Sequence, residues 1–135
     1  EYIAHLRPTT PIRNIKMINR IILYFKKNSY SHTSLRTVHE DPETSYKSFE
    51  IKSNKLKPLK NLKLSIDQLN SPRQFLTKTY TANGVLDLYK KNHVLKKKKL
   101  FGNKVLSYIT PFTPELDTKD QINILKIYAK NKNIK

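Results

Sequence analysis

One stretch, Leu88 to Lys104, reads LYKKNHVLKKKKLFGNK and restricts the folds open to this chain more than any other. It holds seven lysines, a histidine, two aromatic residues and one of the chain's two glycines, and no acid lies between Asp87 and Glu115. Like charges at this density repel one another, so the stretch is expected to face a polyanion that neutralises it. Leu88, Val94, Leu95, Leu100, Phe101, Val105 and Leu106 can anchor both flanks, leaving Lys96, Lys97, Lys98 and Lys99 as a projecting tip. A solvated charge run is the bland reading of a lysine block. The rest of the chain weighs against it.

Among the 135 residues, 27 Lys and Arg stand against 10 Asp and Glu, a net charge of +17 spread over most of the sequence. That is the footprint of a protein that binds nucleic acid or an anionic surface, and no small-molecule substrate calls for it. The absence of cysteine excludes disulfides and thiolate zinc sites. The longest apolar run, Ile21 to Phe25, is five residues, far short of a membrane span. Gly84 and Gly102 are too few for a phosphate-cradling loop. The chain begins with Glu1, compatible with a removed leader peptide or an internal start.

The pattern predicts a small mixed α+β domain with several short helices, a basic β-hairpin and extended basic segments. Residues 1–11, with Pro8 and Pro11, read as an extended arm, and residues 12–135 as a single RNA-binding domain. Ile12, Ile15, Ile18, Ile22 and Phe25 share a helical face, which predicts a helix from Ile12 to Phe25 with Arg13, Lys16 and Arg20 spaced along it. Residues 28–50, rich in Ser, Thr, Asp and Pro, read as a long polar loop. In IKSNKLKPLKNLKL, residues 51–64, Pro58 forbids an uninterrupted helix. An extended segment is expected, its leucines on protein and its lysines on phosphate.

Ser71-Pro72-Arg73-Gln74 carries the signature of a helix start, predicting a helix to about Tyr80. Asn83-Gly84 reads as a break, after which Val85, Leu86, Leu88 and Tyr89 predict a second short helix. Lys104 to Thr110 reads as a strand, paired with Val94 and Leu95 across a hairpin whose tip is Lys96 to Lys99. Asp117 or Thr118 caps a final helix whose Ile122, Ile124, Leu125 and Ile127 are expected in the core.

Catalytic constellations are weak. His5, His32, His39 and His93 are scattered, no nucleophile elbow is present, and Asp67 and Asp87 stand alone. Glu40, Asp41 and Glu43 beside His39 have the residue types of a cation site, but acids adjacent in sequence read more simply as a solvated turn. Neither metal nor cofactor is expected, nor enzymatic activity. Tyr80, Tyr89, Phe101 and Tyr108 bracket the basic centre. Phe101 and Tyr108 are expected in the core, whereas for Tyr80 and Tyr89 core packing and base stacking both stay open.

The best reading is a structural constituent of a ribosome that binds rRNA phosphates through lysine-rich segments. Its expected contacts are Arg13, Arg20, Lys55, Lys57, Lys60, Lys63, Lys90, Lys91, Lys96, Lys97, Lys98, Lys99 and Lys104. Its partners would be ribosomal RNA and neighbouring ribosomal proteins, with no membrane span and no small-molecule substrate. In its Lys, Asn and Ile usage the chain resembles mitochondrial ribosomal proteins of fungi or protists, a likeness of composition rather than of a diagnostic motif. That implies a ribosome of the mitochondrial matrix. LSIDQL and VLDLYKKNHVLKKKKLFGNKVL look like the second half of large-subunit ribosomal protein fifteen, but the Gly- and Arg-rich first half of that family is absent. A DNA-binding winged-helix or nucleoid protein is the alternative, resting on the two helices predicted between Ser71 and Asn92. A subunit that touches anionic lipid is a third, and it lacks the Trp- or Phe-rich amphipathic face that insertion favours.

Overall fold

Asn14, in extended conformation, accepts a hydrogen bond from the Met17 N–H at 3.0 Å and starts the first helix. In the computed structural model, which describes residues 1–59 and 64–131, the elements run β1 (Tyr2–His5), α1 (Ile15–Asn28), β2 (Ser34–Glu40), β3 (Phe49–Lys52), β4 (Lys55–Pro58), α2 (Ile66–Leu69), β5 (Tyr80–Lys90), α3 (Lys91–Lys97), β6 (Val105–Ile109) and α4 (Gln121–Asn131). The fold is α+β. Its chain divides into two compact units, Glu1–His39 with Ala82–Lys135, and Glu40–Thr81.

The first unit is a sheet with strand order β1-β5-β2-β6. β1 is antiparallel to β5, with Ile3 opposite Tyr89 and His5 opposite Asp87. β6 is parallel to β2, with Arg36 beside Ser107. Helix α1 covers one face. Its Ile21 and Phe25, four residues apart and fully buried, join Leu35, Val85, Leu86 and Leu88 in one cluster, with Met17, Ile18, Ile22, Leu106 and Tyr108 packed around it. Each such buried side chain contributes roughly 1.5–3 kcal/mol. The predicted helix is present but turned: Ile15 is 76% exposed. Lys16, Arg20, Leu23 and Lys27, spaced by a turn each, form the exposed stripe.

Several expectations are corrected. The residues read as an arm include β1, an edge strand of the sheet. The supposed polar loop contains β2, whose Ser34, Leu35 and Thr37 are buried. Its polar composition concealed a strand because the Thr37 hydroxyl finds partners on β5: Thr37 Oγ1 donates to Asn83 O at 3.3 Å and accepts from Leu86 N–H at 3.1 Å. The second short helix is strand β5, buried continuously from Asn83 to Tyr89. A strand covered on both faces reads as an unbroken apolar run, which periodicity does not separate from a helix. With β5 a strand, the winged-helix alternative loses one of its two helices. The other, predicted from Ser71, is a single 3₁₀ turn at Arg73–Phe75.

Gly84 lies within β5 rather than at a turn. A Cβ there would meet Thr10 Oγ1 at 2.2 Å, so glycine lets the segment after β1 cross the strand in contact. Arg13 secures the same crossing. Its guanidinium donates to Val85 O and Gly84 O, each at 3.0 Å, and to Arg7 O. It is therefore engaged in a structural role, and its burial lowers its pKa.

The hairpin expected between Val94–Leu95 and Lys104–Thr110 is absent: the first flank is helix α3, and β6 pairs with β2. A basic hairpin does exist, in the second unit, where β3 and β4 pair with Ile51 opposite Leu56. Ser53 and Asn54 both take positive φ, 49° and 61°, the backbone of a type I′ turn. The leucines of this segment were expected to touch protein, yet Leu56 is 51% exposed. The strongest capping signal also moves: Ser65 and Gln68 form a reciprocal capping box on α2. Helix α4 begins at Gln121, whose Oε1 accepts from the Asp117 and Thr118 N–H groups. Only its Leu125 is buried, while Ile122, Ile124 and Ile127, expected in the core, are exposed.

Replacing Arg13 with Ala removes three carbonyl-directed bonds from one guanidinium and is expected to destabilise the protein by about 2–4 kcal/mol. Urea titration measures it, and a loss under about 0.5 kcal/mol would show that water satisfies those carbonyls equally well.

Candidate nucleic-acid interface

One end of the first unit's sheet gathers the lysines. The Thr33 N–H donates to Lys104 O at 2.9 Å, the Lys90 N–H to Thr33 O at 3.0 Å, and the Lys91 N–H to Glu1 O at 3.2 Å. These bonds bring the starts of β1, β2 and β6 together with the end of β5. Helix α1 ends there too, since Tyr2 OH and Ser29 Oγ lie 2.9 Å apart. Lys26 and Lys27 thus join Lys90, Lys91, Lys104 and the lysines of α3. The acid at this end is Glu1, which pairs with Lys91.

Helix α3 carries Lys96 and Lys97 in its last turn, where a cation complements the helix dipole. Lys98 closes it in the left-handed conformation, φ 52°, its N–H donating to Val94 O at 2.9 Å. That position favours glycine, so a lysine here costs about 1 kcal/mol and keeps a charge. Lys96 to Lys99 are exposed, and among the described residues none of them forms an ion pair. Gly102 brings the loop back against β2: a Cβ would meet Thr33 Oγ1 at 2.6 Å and the His93 ring at 2.9 Å.

The remaining predicted contacts separate. Arg20 is exposed on α1, away from its buried face. Lys55 and Lys57 are exposed on β4 of the second unit, and Lys60 and Lys63 lie outside the described residues. Arg13 is committed to the backbone. Lys26 and Lys27 were missed because only the tertiary path of α1 brings them to this end.

On the sheet face away from α1 sits a second charged group. Asp87 is 2% exposed, with Arg7 Nη2 at 3.6 Å and Arg36 Nε at 3.9 Å. Tyr89 OH donates to its Oδ2 at 3.4 Å and lies 3.4 Å from His5 Nδ1. The Arg36 guanidinium stacks 5.0 Å from the Phe101 ring centroid, and Phe101 meets Tyr89 edge-on at 5.2 Å. Tyr89, for which core packing and stacking both stood open, is buried, and Phe101, expected in the core, is half-buried. Burial pushes the Asp87 carboxyl above the usual aspartate value, outweighing the pull of Arg36, Arg7 and His5. Burial, reinforced by Asp87, pushes the Tyr89 hydroxyl up to about 12.

In the second unit a cavity of about 350 Å³ is lined by Glu40, Asp41, Thr44, Arg73 and Lys78 among others. Its acids are engaged: Glu40 pairs with Lys78 at 3.0 Å and Arg73 at 3.2 Å, which lowers its pKa, and Asp41 accepts from Thr79 Oγ1 at 2.7 Å. Among the described residues no group of three His, Asp or Glu side chains is arranged to hold a metal. No helix among them is long and apolar enough to cross a membrane. No family model matches the chain, and no curated protein matches it.

Because the native Asp87 carboxyl holds its proton more tightly than the unfolded one, its contribution to stability falls as pH rises from the usual aspartate value through the raised native value. The difference between wild type and Asp87→Asn in urea titrations from about pH 4 to pH 7 should show this decline. Parallel pH profiles would mean that the native carboxyl titrates normally.

Proposed function

We propose that the chain is a structural, non-catalytic RNA-binding constituent of a ribosome, held to rRNA phosphates mainly by the lysines at one end of its sheet. The observation that carries this reading is the convergence there of lysines from α1, the end of β5, α3 and the start of β6, where Glu1 pairs with Lys91. Lysine clusters of this kind suit sequence-independent phosphate contact, each neutralised phosphate releasing counterions. The left-handed Lys98 supports the same reading, because charge is kept where the backbone favours glycine. Lys55 and Lys57 on the second unit's hairpin supply a further basic track. The exposed isoleucines of α4 suit a neighbouring ribosomal protein. Residence in the mitochondrial matrix rests on the compositional resemblance alone. Cofactor and small-molecule substrate have no part in this role.

Sedimentation of the endogenous protein from lysed cells tests it directly. Co-migration with a ribosomal subunit, abolished by ribonuclease, is the expected result, and migration as a free small protein or with DNA would reject the proposal. In vitro, replacing Lys96 to Lys99 with Ala should weaken binding about equally on unrelated RNA sequences. It should also reduce the slope of log affinity against log salt by up to about three to four. An unchanged slope would remove these lysines from the interface, and a sequence-selective loss would mean base reading instead.

A further inference from the structure

Helix α1 covers one face of the four-stranded sheet; on the other, the side chains of the edge strands β1 and β6 meet solvent, while Asp87 and Tyr89 of β5 lie beneath Arg7, Arg36 and Phe101. Register assigns the side chains. Tyr2, Ala4, Leu88, Leu35, Leu106 and Tyr108 lie on the helix side, as the packing of Tyr2 on Phe25 and of Tyr24 on Tyr108 confirms. Ile3, His5, Arg36, Val105, Ser107 and Ile109 therefore lie on the far side, around Asp87 and Tyr89. Much of this far side meets solvent: Ile3, His5, Val105 and Ser107 are exposed, and Ile109 is 58% exposed.

At the centre of that face, Asp87 holds two guanidinium groups without covering them. The side chains of Arg7 and Arg36 keep 37% and 33% of their surface exposed. Asp87 Oδ1, Arg7 Nε and Arg36 Nε are buried without hydrogen-bond partners, so the cluster has unused polar capacity. One acid against two arginines leaves a net positive charge. Arg36 already lies against an aromatic ring, Phe101. Phe101 belongs to the loop between Lys98 and Lys104, so the open face is continuous with the lysine end.

We infer that this face is a platform for single-stranded RNA, with an unpaired base stacking on the Arg36 guanidinium that lies over the Phe101 ring and Arg7 meeting a phosphate. The inference rests on the RNA-binding role proposed above and adds to it a preference for unpaired nucleotides. Lysines reach the phosphates of any RNA, whereas a planar guanidinium backed by an aromatic ring on an open sheet offers stacking that only splayed bases can use. Asp87 holds both arginines near this face by charge, at 3.6 and 3.9 Å, so that less side-chain freedom is lost on binding.

The test uses the full chain with a 4-thiouridine-substituted single-stranded RNA and a duplex of equal length. Photocrosslinks to the single strand are expected in peptides spanning Tyr2–Arg7, Ser34–Val38 or Phe101–Ile109. Arg36→Lys, which keeps the charge and loses the plane, should weaken single-strand binding about tenfold and leave duplex binding within about twofold. Phe101→Leu, which keeps apolar volume, should lose a similar factor on the single strand alone. Crosslinks confined to α1 and Lys90–Lys99, with Arg36→Lys equal on both RNAs, would overturn the platform and leave the lysine interface standing. A wild-type protein that binds neither RNA would overturn both. Circular dichroism melts of each variant separate lost folding from lost binding, and the crosslink map depends on no substitution.

Discussion

Everything in the first unit depends on the seating of α1 against one face of the sheet. Ile21 and Phe25 join Leu35, Val85, Leu86 and Leu88, and among the described residues no other helix contributes to that buried cluster. Because a single layer of helix supplies the hydrophobic drive, the buried residues of β5 are divided by character. Leu86 and Leu88 pack with α1, and Asp87 and Tyr89 lie on the other side. A two-layer arrangement of this kind leaves the second face of the sheet available for polar chemistry.

That face also explains how a chain with so few acids accommodates a buried one. Asp87 is desolvated, and neither arginine approaches within 3.5 Å, so attraction does not fully offset the loss of water. The carboxylate nevertheless bridges segments far apart in sequence, touching Arg7 beyond β1 and Arg36 on β2. Removing it would leave two guanidinium groups crowded over one strand. Elsewhere the buried set is rich in hydroxyls, Thr10, Ser34, Thr37, Thr110 and Thr113 among them. Most work as hydrogen-bond links: Thr110 Oγ1 accepts from Asn83 Nδ2 at 2.9 Å, and its N–H donates to Val38 O at 2.8 Å.

This chemistry set the limits of what the sequence could disclose. The α+β class, helix α1, strand β6 and the final helix were legible, because each has a periodic or β-branched pattern bounded by clear stops. Strand β2 was hidden by its Ser and Thr content, since cross-strand partners for Thr37 exist only once β5 is alongside. Strand β5 was mistaken for a helix because burial on both faces erases the alternation that marks a strand. The lysine stretch was legible as charge but not as shape. Nothing in KKNHVLKKKK announces a seven-residue helix closed by a left-handed lysine. Arg13 resembled every other basic residue until Gly84 brought carbonyl groups within its reach.

The distribution of charge along β5 bears on how the protein would approach a polyanion. Glu115 accepts from the Gly84 N–H at 2.6 Å, whereas Lys90 marks the lysine end, six residues or roughly 20 Å along the same strand. Asp117 and Asp120 follow Glu115 in sequence. At the Gly84 end Glu115 stands with Arg7 and Arg13, whereas the opposite end carries the cluster of lysines, so positive charge is concentrated at one end of the strand. In the field of a polyanion such a body feels a torque as well as an attraction, and it turns its lysine end forward before contact. Fewer encounters are then spent in unproductive orientations, an advantage in the rate of capture that no count of bound phosphates would reveal.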